Sequence, residues 1–174
     1  MAKFYLDDYS GAALDCTQAI QRNPYFPNTY ELRGLAYINM NRFPDAIRDY
    51  RTVTDMLPEN RSLWHNLALC YIETDSLDQA DSITDIIIRR WAKQADGYTL
   101  KAQVFLQRND TAAAETYIDK AIEADKYNIG AHTAKANILM SHEQYNEAIQ
   151  HFDESLRLNP KQANTLINRA LCHY

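Results

Sequence analysis

Five histidines (His65, His132, His142, His151, His173) and three cysteines (Cys16, Cys70, Cys172) are the side chains of this sequence best suited to hold a metal or attack a substrate. A helix that ligates a metal needs two such residues one turn apart on one face, and no histidine pair has that spacing. The cysteines are odd in number and far apart, which fits neither a disulfide framework nor a zinc site. They read as small buried hydrophobes. No G-x-S-x-G, phosphate-binding or dinucleotide-binding glycine pattern occurs, and the acids fall at the spacing of solvated helix faces. Neither catalysis nor a metal or cofactor is expected. The chemistry that remains is recognition, which depends on the elements that present the side chains.

The 174 residues are 46% hydrophobic and 11% aromatic, an ordinary folded composition. Four glycines and five prolines are few enough to imply long helices joined by short turns. A net charge of -5 argues against nucleic acid, whose phosphates require a basic surface. The longest apolar run, residues 67–72, is far shorter than a membrane span. The N-terminal "MAKFYLDDYS" lacks the apolar core of a signal peptide. Together with the absence of a disulfide pattern, this favours the cytoplasm.

A period of 34 residues organises the chain. Ala12, Ala46, Ala80, Ala114 and Ala148 keep it without a slip, as does a second small series, Gly34, Ala68, Ala102, Ala136 and Ala170. Tyr30, Trp64 and Tyr98 form an aromatic ladder continued by His132 and Leu166, and Tyr37, Tyr71, Phe105 and Leu139 form another. Within a unit the apolar spacing is helical: residues 61–75 and 78–91 read as two helices around the polar turn "TDSLD". Pro24, Pro58 and Pro160 close units because proline cannot continue a helix, with Ala92 and Lys126 in the intervening slots.

These units resemble the tetratricopeptide repeat, with its Trp-x2-Leu-Gly-x2-Tyr first helix, Ala-x3-Phe-x2-Ala second helix and closing proline. Tyr30, Gly34, Tyr37, Ala46, Tyr50, Val53 and Pro58 carry the likeness in 27–60. Trp64, Leu67, Ala68, Tyr71 and Ala80 carry it in 61–94, and Ala136, Ala148, Phe152 and Pro160 in 129–162. The expected fold is all-α, a right-handed superhelical solenoid of antiparallel helix pairs. It forms a single array over 1–174, with full repeats at 27–60, 61–94, 95–128 and 129–162, a partial repeat at 1–26 and a lone first helix at 163–174.

Helices approach closely only over small side chains, so the Gly34 series reads as a packing position. On that reading Gly34→Ala is neutral or stabilising by up to about 1 kcal/mol. Arg33, Lys101, Lys135 and Arg169 share one slot in which only Leu67 is apolar. They read as long side chains laid over a helix interface, with Asp49 and Asp15 in plausible partner positions for Arg33. Near the unit closed by Ala92, "DSITDIIIRRW" invites two readings: an exposed isoleucine cluster, or a helix prolonged to bury Trp91.

The resemblance implies that first helices line a concave groove that binds a peptide or partner segment. Its candidate residues are Asn28, Glu31, Leu35, Ile38, His65, Asn66, Leu69, Glu73, Thr99, Gln103, Leu106, Asn137 and Met140, with Leu32, Asn39, Ser62, Ile72, Asp96, Leu100, Gln107, Gly130, Thr133, Ala134 and Ser141 on the same faces. This face contains no lysine or arginine, so it lacks the cations with which some family members clamp a terminal carboxylate. The expected function is a non-enzymatic protein–protein interaction scaffold. The alternatives are a structural spacer or oligomerising arm, and a peptide-sensing regulatory module. The register at both ends suggests a piece of a longer array, whose open ends would allow head-to-tail self-association.

Overall fold

The computed structural model describes residues 8–173, which form ten helices. The chain divides into two compact units, residues 1–83 and 84–174. The first contains α1 (Tyr9–Arg22), α2 (Pro27–Asn39), α3 (Phe43–Met56), α4 (Arg61–Glu73) and the start of α5 (Leu77–Arg90). The second contains the rest of α5, then α6 (Asp96–Gln107), α7 (Thr111–Ala124), α8 (Ile129–Ser141), α9 (Tyr145–Leu158) and α10 (Ala163–Leu171). In the first unit α1 packs on α2, α2 on α3 and α3 on α4; in the second, α6 packs on α7, α7 on α8, α8 on α9 and α9 on α10.

The short turns inside the hairpins share one backbone device. Asn41, Asp75, Asn109 and Glu143, spaced 34 apart, adopt φ of 55°, 54°, 59° and 61°. This left-handed residue reverses the chain, so the next N–H (Arg42, Ser76, Asp110 or Gln144) donates to the carbonyl of Tyr37, Tyr71, Phe105 or Leu139, at 2.8–2.9 Å. Asn and Asp tolerate the conformation because their short side chains bond locally; Glu143 has no such excuse. Between hairpins, Asn60 and Asn128 accept from the N–H groups of Ser62 and Ala131 and so start α4 and α8.

The alanine ladder is buried throughout. In the first unit Ala46, Tyr50, Val53, Leu63, Leu67 and Cys70 form one core. In the second, Ala136, Leu139, Ala148, Phe152 and Cys172 form another. All three cysteines are buried and free. Desolvation pushes the Cys70 thiol up to about 12, so it stays protonated and unreactive at neutral pH.

Two expectations need correction. Alanine does not fit at Gly34: a Cβ there would lie 2.9 Å from Cε2 and 3.2 Å from Cζ of Tyr50. That ring is fully buried and its hydroxyl accepts a bond from Asn66 at 3.1 Å, so it cannot swing away freely. The isoleucines of α5 follow neither reading. The helix ends at Arg90 without a proline, and Ile87 is wholly buried. A Cβ on Gly97 would meet Ile88 at 2.9 Å and Ile87 at 3.0 Å, so this glycine lets α6 close directly onto α5.

Candidate functional site

The shared basic slot is a ladder of ion pairs. Arg33 holds Asp49 through two bonds, Nε to Oδ2 at 2.8 Å and Nη2 to Oδ1 at 2.6 Å, and donates a third to Thr17 at 3.0 Å. Its guanidinium lies 5.9 Å from the ring centres of both Tyr30 and Tyr37. Donating to the Asp49 carboxylate raises the Arg33 pKa further, against the opposing effect of burial. Lys101, Lys135 and Arg169 instead reach back sixteen residues to Asp85, Asp119 and Asp153, at 2.7, 2.8 and 2.5 Å. These cations are spent within the hairpin stack, which matches the reading of the slot as structural. Asp49, one of the two acids named for Arg33, is its partner.

None of the thirteen principal groove candidates is buried. On α2 and α4, Asn28 and Glu73 are exposed, while Glu31, Leu35, Ile38, His65, Asn66 and Leu69 are half-buried. Ile38 packs partly on the core, and Asn66 is tied to Tyr50. In the second unit, Thr99, Gln103 and Leu106 of α6 meet Gly130 and Ala134 of α8 around a depression of about 260 Å³, with Ile118 of α7 at its floor. Leu106 is 37% exposed at the edge of this recess. The small residues on α8 leave the space open: a Cβ on Gly130 would meet only Asn128 Oδ1, at 3.5 Å. Asn137 is exposed and accepts from Asn168 at 2.9 Å, and Met140 packs partly on the core around Phe152. Two residues placed on the groove face belong to the interior instead. Ile72 and Leu100 are 1% and 3% exposed, because an apolar side chain at the edge of the face is drawn into the adjacent helix contact.

One constellation escaped the sequence reading. His132 of α8 and His151 of α9, nineteen residues apart, place their Nδ1 atoms 2.9 Å from each other. Lying on different helices, they do not show the one-turn spacing of a ligand pair within one helix. His132 occupies the aromatic slot, and its Nε2 bonds the Lys126 carbonyl at 3.0 Å, just as the Trp64 indole N–H donates to the Pro58 carbonyl at 2.8 Å. Indole nitrogen can only donate; the equivalence makes His132 the Nε2–H tautomer, which leaves its Nδ1 to accept from His151 Nδ1–H. Desolvation, then the neighbouring His132 and Lys135, lower the His151 pKa against Asp119 and Glu147. Among the described residues no group of three or more potential ligands converges on a metal position.

Hairpins with small residues at the helix crossings and paired charges between neighbouring helices define a helical repeat protein. Family models of the tetratricopeptide repeat match residues 37–104, 95–128 and 129–162, and the chain belongs to that family. It is 28% identical over 169 residues to anaphase-promoting complex subunit 7 of Homo sapiens, an alignment spanning 97% of this chain and 29% of that protein. The chain thus spans under a third of that relative's length. Among solved structures, the Cut9–Hcn1 hetero-tetramer of the anaphase-promoting complex aligns over 96% of this chain and 34% of its own, with a TM-score of 0.81 at 19% identity. MamA aligns over 94% of this chain and 95% of its own, with a TM-score of 0.76 at 18% identity. At these identities the structural likenesses speak to the fold alone. No helix among the described residues is long and apolar enough to cross a membrane.

Proposed function

We propose that this chain is a non-enzymatic protein–protein interaction scaffold that binds an extended peptide or partner segment against its first helices. The observation that carries the reading is the recess between α6 and α8, where exposed Leu106 and the amide of Gln103 border an open, partly apolar depression. An apolar anchor entering the recess is desolvated there, while Gln103 and Thr99 offer polar atoms to the backbone of a bound segment. The acids Glu31 and Glu73, with no lysine or arginine among the candidates, favour neutral or basic ligands over acidic ones and over nucleic acid. That a relative is a subunit of the anaphase-promoting complex supports a place for this chain in a multi-protein assembly.

The test is selection from a displayed peptide library followed by titration of the enriched peptides. Gly130→Leu adds an apolar side chain at the recess from a position where a Cβ meets only Asn128 Oδ1, at 3.5 Å, and Leu106→Glu places a charge at its edge. Each is expected to weaken binding at least tenfold, while Arg48→Glu on an exposed second-helix position leaves it unchanged. Enriched peptides indifferent to both recess substitutions would remove this reading. A second reading, an oligomerising arm, draws on α10, where Leu166, Ile167 and Leu171 are 41%, 57% and 58% exposed. Sedimentation showing a mass that rises with concentration and collapses on Ile167→Glu would favour it.

A further inference from the structure

The ladder of ion pairs is interrupted once, and the interruption leaves a cavity. At the slot where other hairpins have Arg33, Lys101, Lys135 or Arg169, the 61–94 hairpin has Leu67, which is 2% exposed. Sixteen residues before it, where the last three hairpins place Asp85, Asp119 and Asp153, stands Arg51. Sixteen residues after it, where Arg33 finds Asp49, stands Ile83. The cation has therefore moved to the opposite side of the seam, with no acid in the slot facing it; Asp55, one turn further along α3, shares the rim but makes no ion pair with it. Arg51 is exposed, and its guanidinium pairs with no described residue. Between α3, α4 and the start of α5 lies a cavity of about 380 Å³, with Leu67 and Ile83 among its apolar lining, flanked by the rings of Trp64 and Tyr71 and rimmed by Arg51 and Asp55. In the 27–60 hairpin the equivalent space between Tyr30 and Tyr37 is filled by the chain's own Arg33.

We infer that this cavity is a docking site for a protein partner that inserts one bulky apolar side chain next to a carboxylate. The apolar group takes the space that an arginine or lysine stem fills in the other hairpins, and the carboxylate pairs with Arg51, restoring in trans the ion pair that this hairpin lacks. A tryptophan, a tyrosine and an arginine around one desolvatable recess is the residue set that dominates binding energy in protein interfaces. The net charge of -5 slows the approach of an acidic segment, so the Arg51 contact confers selectivity on contact and not speed. None of the thirteen groove candidates lines this cavity, so the site goes beyond the function proposed above and stands independently of it.

The test uses two capped pentapeptides, Gly-Asp-Phe-Asp-Gly and its counterpart with lysine in place of both aspartates, titrated to millimolar concentration against isotope-labelled protein. The Trp64 indole N–H resonance is the readout. The acidic peptide is expected to shift it in a saturable way, with at least fivefold tighter binding than the lysine peptide. Arg51→Glu, at an exposed position that leaves the fold intact, is expected to invert that preference. Leu67→Lys, which reinstates the cation of the other hairpins, is expected to abolish binding of both peptides. A Trp64 resonance that neither peptide moves, a preference for the lysine peptide, or a preference unchanged by Arg51→Glu overturns the proposal.

Discussion

Replacing Gly34 by alanine puts helix propensity and packing in direct opposition. Gly34 is helical with no positive φ, so alanine gains about 1 kcal/mol of backbone stability there. Against this, the new methyl would sit 2.9–3.3 Å from three ring atoms of Tyr50. The ring is enclosed on all sides, and its hydroxyl is anchored by Asn66. Forcing a methyl into such a core costs about 1–3 kcal/mol. The opposing figures leave a net loss of about 0–2 kcal/mol, and the contact below 3.0 Å places the expectation near 1 kcal/mol. At a urea m-value of about 1–3 kcal/mol/M, a loss near 1 kcal/mol lowers the unfolding midpoint by about 0.3–1 M. The anchor itself can be tested. Phe152, the equivalent ring in α9, coexists in one cluster with Ala136, the equivalent of Gly34. With Tyr50→Phe the ring is free to shift, so the double variant should lose at least about 0.5 kcal/mol less than the sum of the singles. Urea melts of the four proteins decide the matter. A Gly34→Ala midpoint at or above that of the wild type, or strict additivity in the cycle, refutes the steric argument.

Other expectations follow from the same contacts. Arg33→Leu leaves Asp49, whose side chain is 4% exposed, without its bidentate partner and should cost about 2–4 kcal/mol; Arg33→Leu with Asp49→Ile, which copies Leu67 and Ile83, should regain most of this in the same melts. Glu143→Gly relieves the left-handed strain of a residue that gains nothing from it, and its melting midpoint should rise by the equivalent of about 0.5–1.5 kcal/mol. The lowered His151 pKa means that the unfolded chain binds a proton first as pH falls through the ordinary imidazole value. Stability should therefore decline from about pH 7 downward, with a slope of up to about 1.4 kcal/mol per pH unit until the folded state also protonates. Melts of His151→Gln across that range should be flatter, and an unchanged slope would contradict the assignment. Cys70 should resist alkylation by iodoacetamide in the native state and react only on unfolding, as mass spectrometry can follow.

The 34-residue period is visible in the sequence because each hairpin repeats the same local problem. A small residue is needed where helices cross, a turn where the chain reverses, and a charge partner where a long side chain leaves the seam. These are choices within one hairpin and its neighbour, so type and spacing are enough to read the all-helical repeat and the buried cysteines, and to narrow the partner of Arg33 to Asp49 or Asp15. The sequence also placed Thr99, Gln103 and Leu106 on one helix face, but the recess they share with Gly130 and Ala134 exists only once α6 and α8 are set side by side. Periodicity reports the side on which a residue points, not how far a neighbour reaches toward it. For that reason Gly34 read as one member of a small ladder, when the depth of the Tyr50 ring excludes even a methyl. Likewise Ile72 and Leu100 read as groove lining, His132 and His151 as unrelated, and Leu67 as a mere exception to a basic series. Each was decided by how closely residues of different helices approach one another, a scale at which close packing discriminates and a one-dimensional pattern cannot.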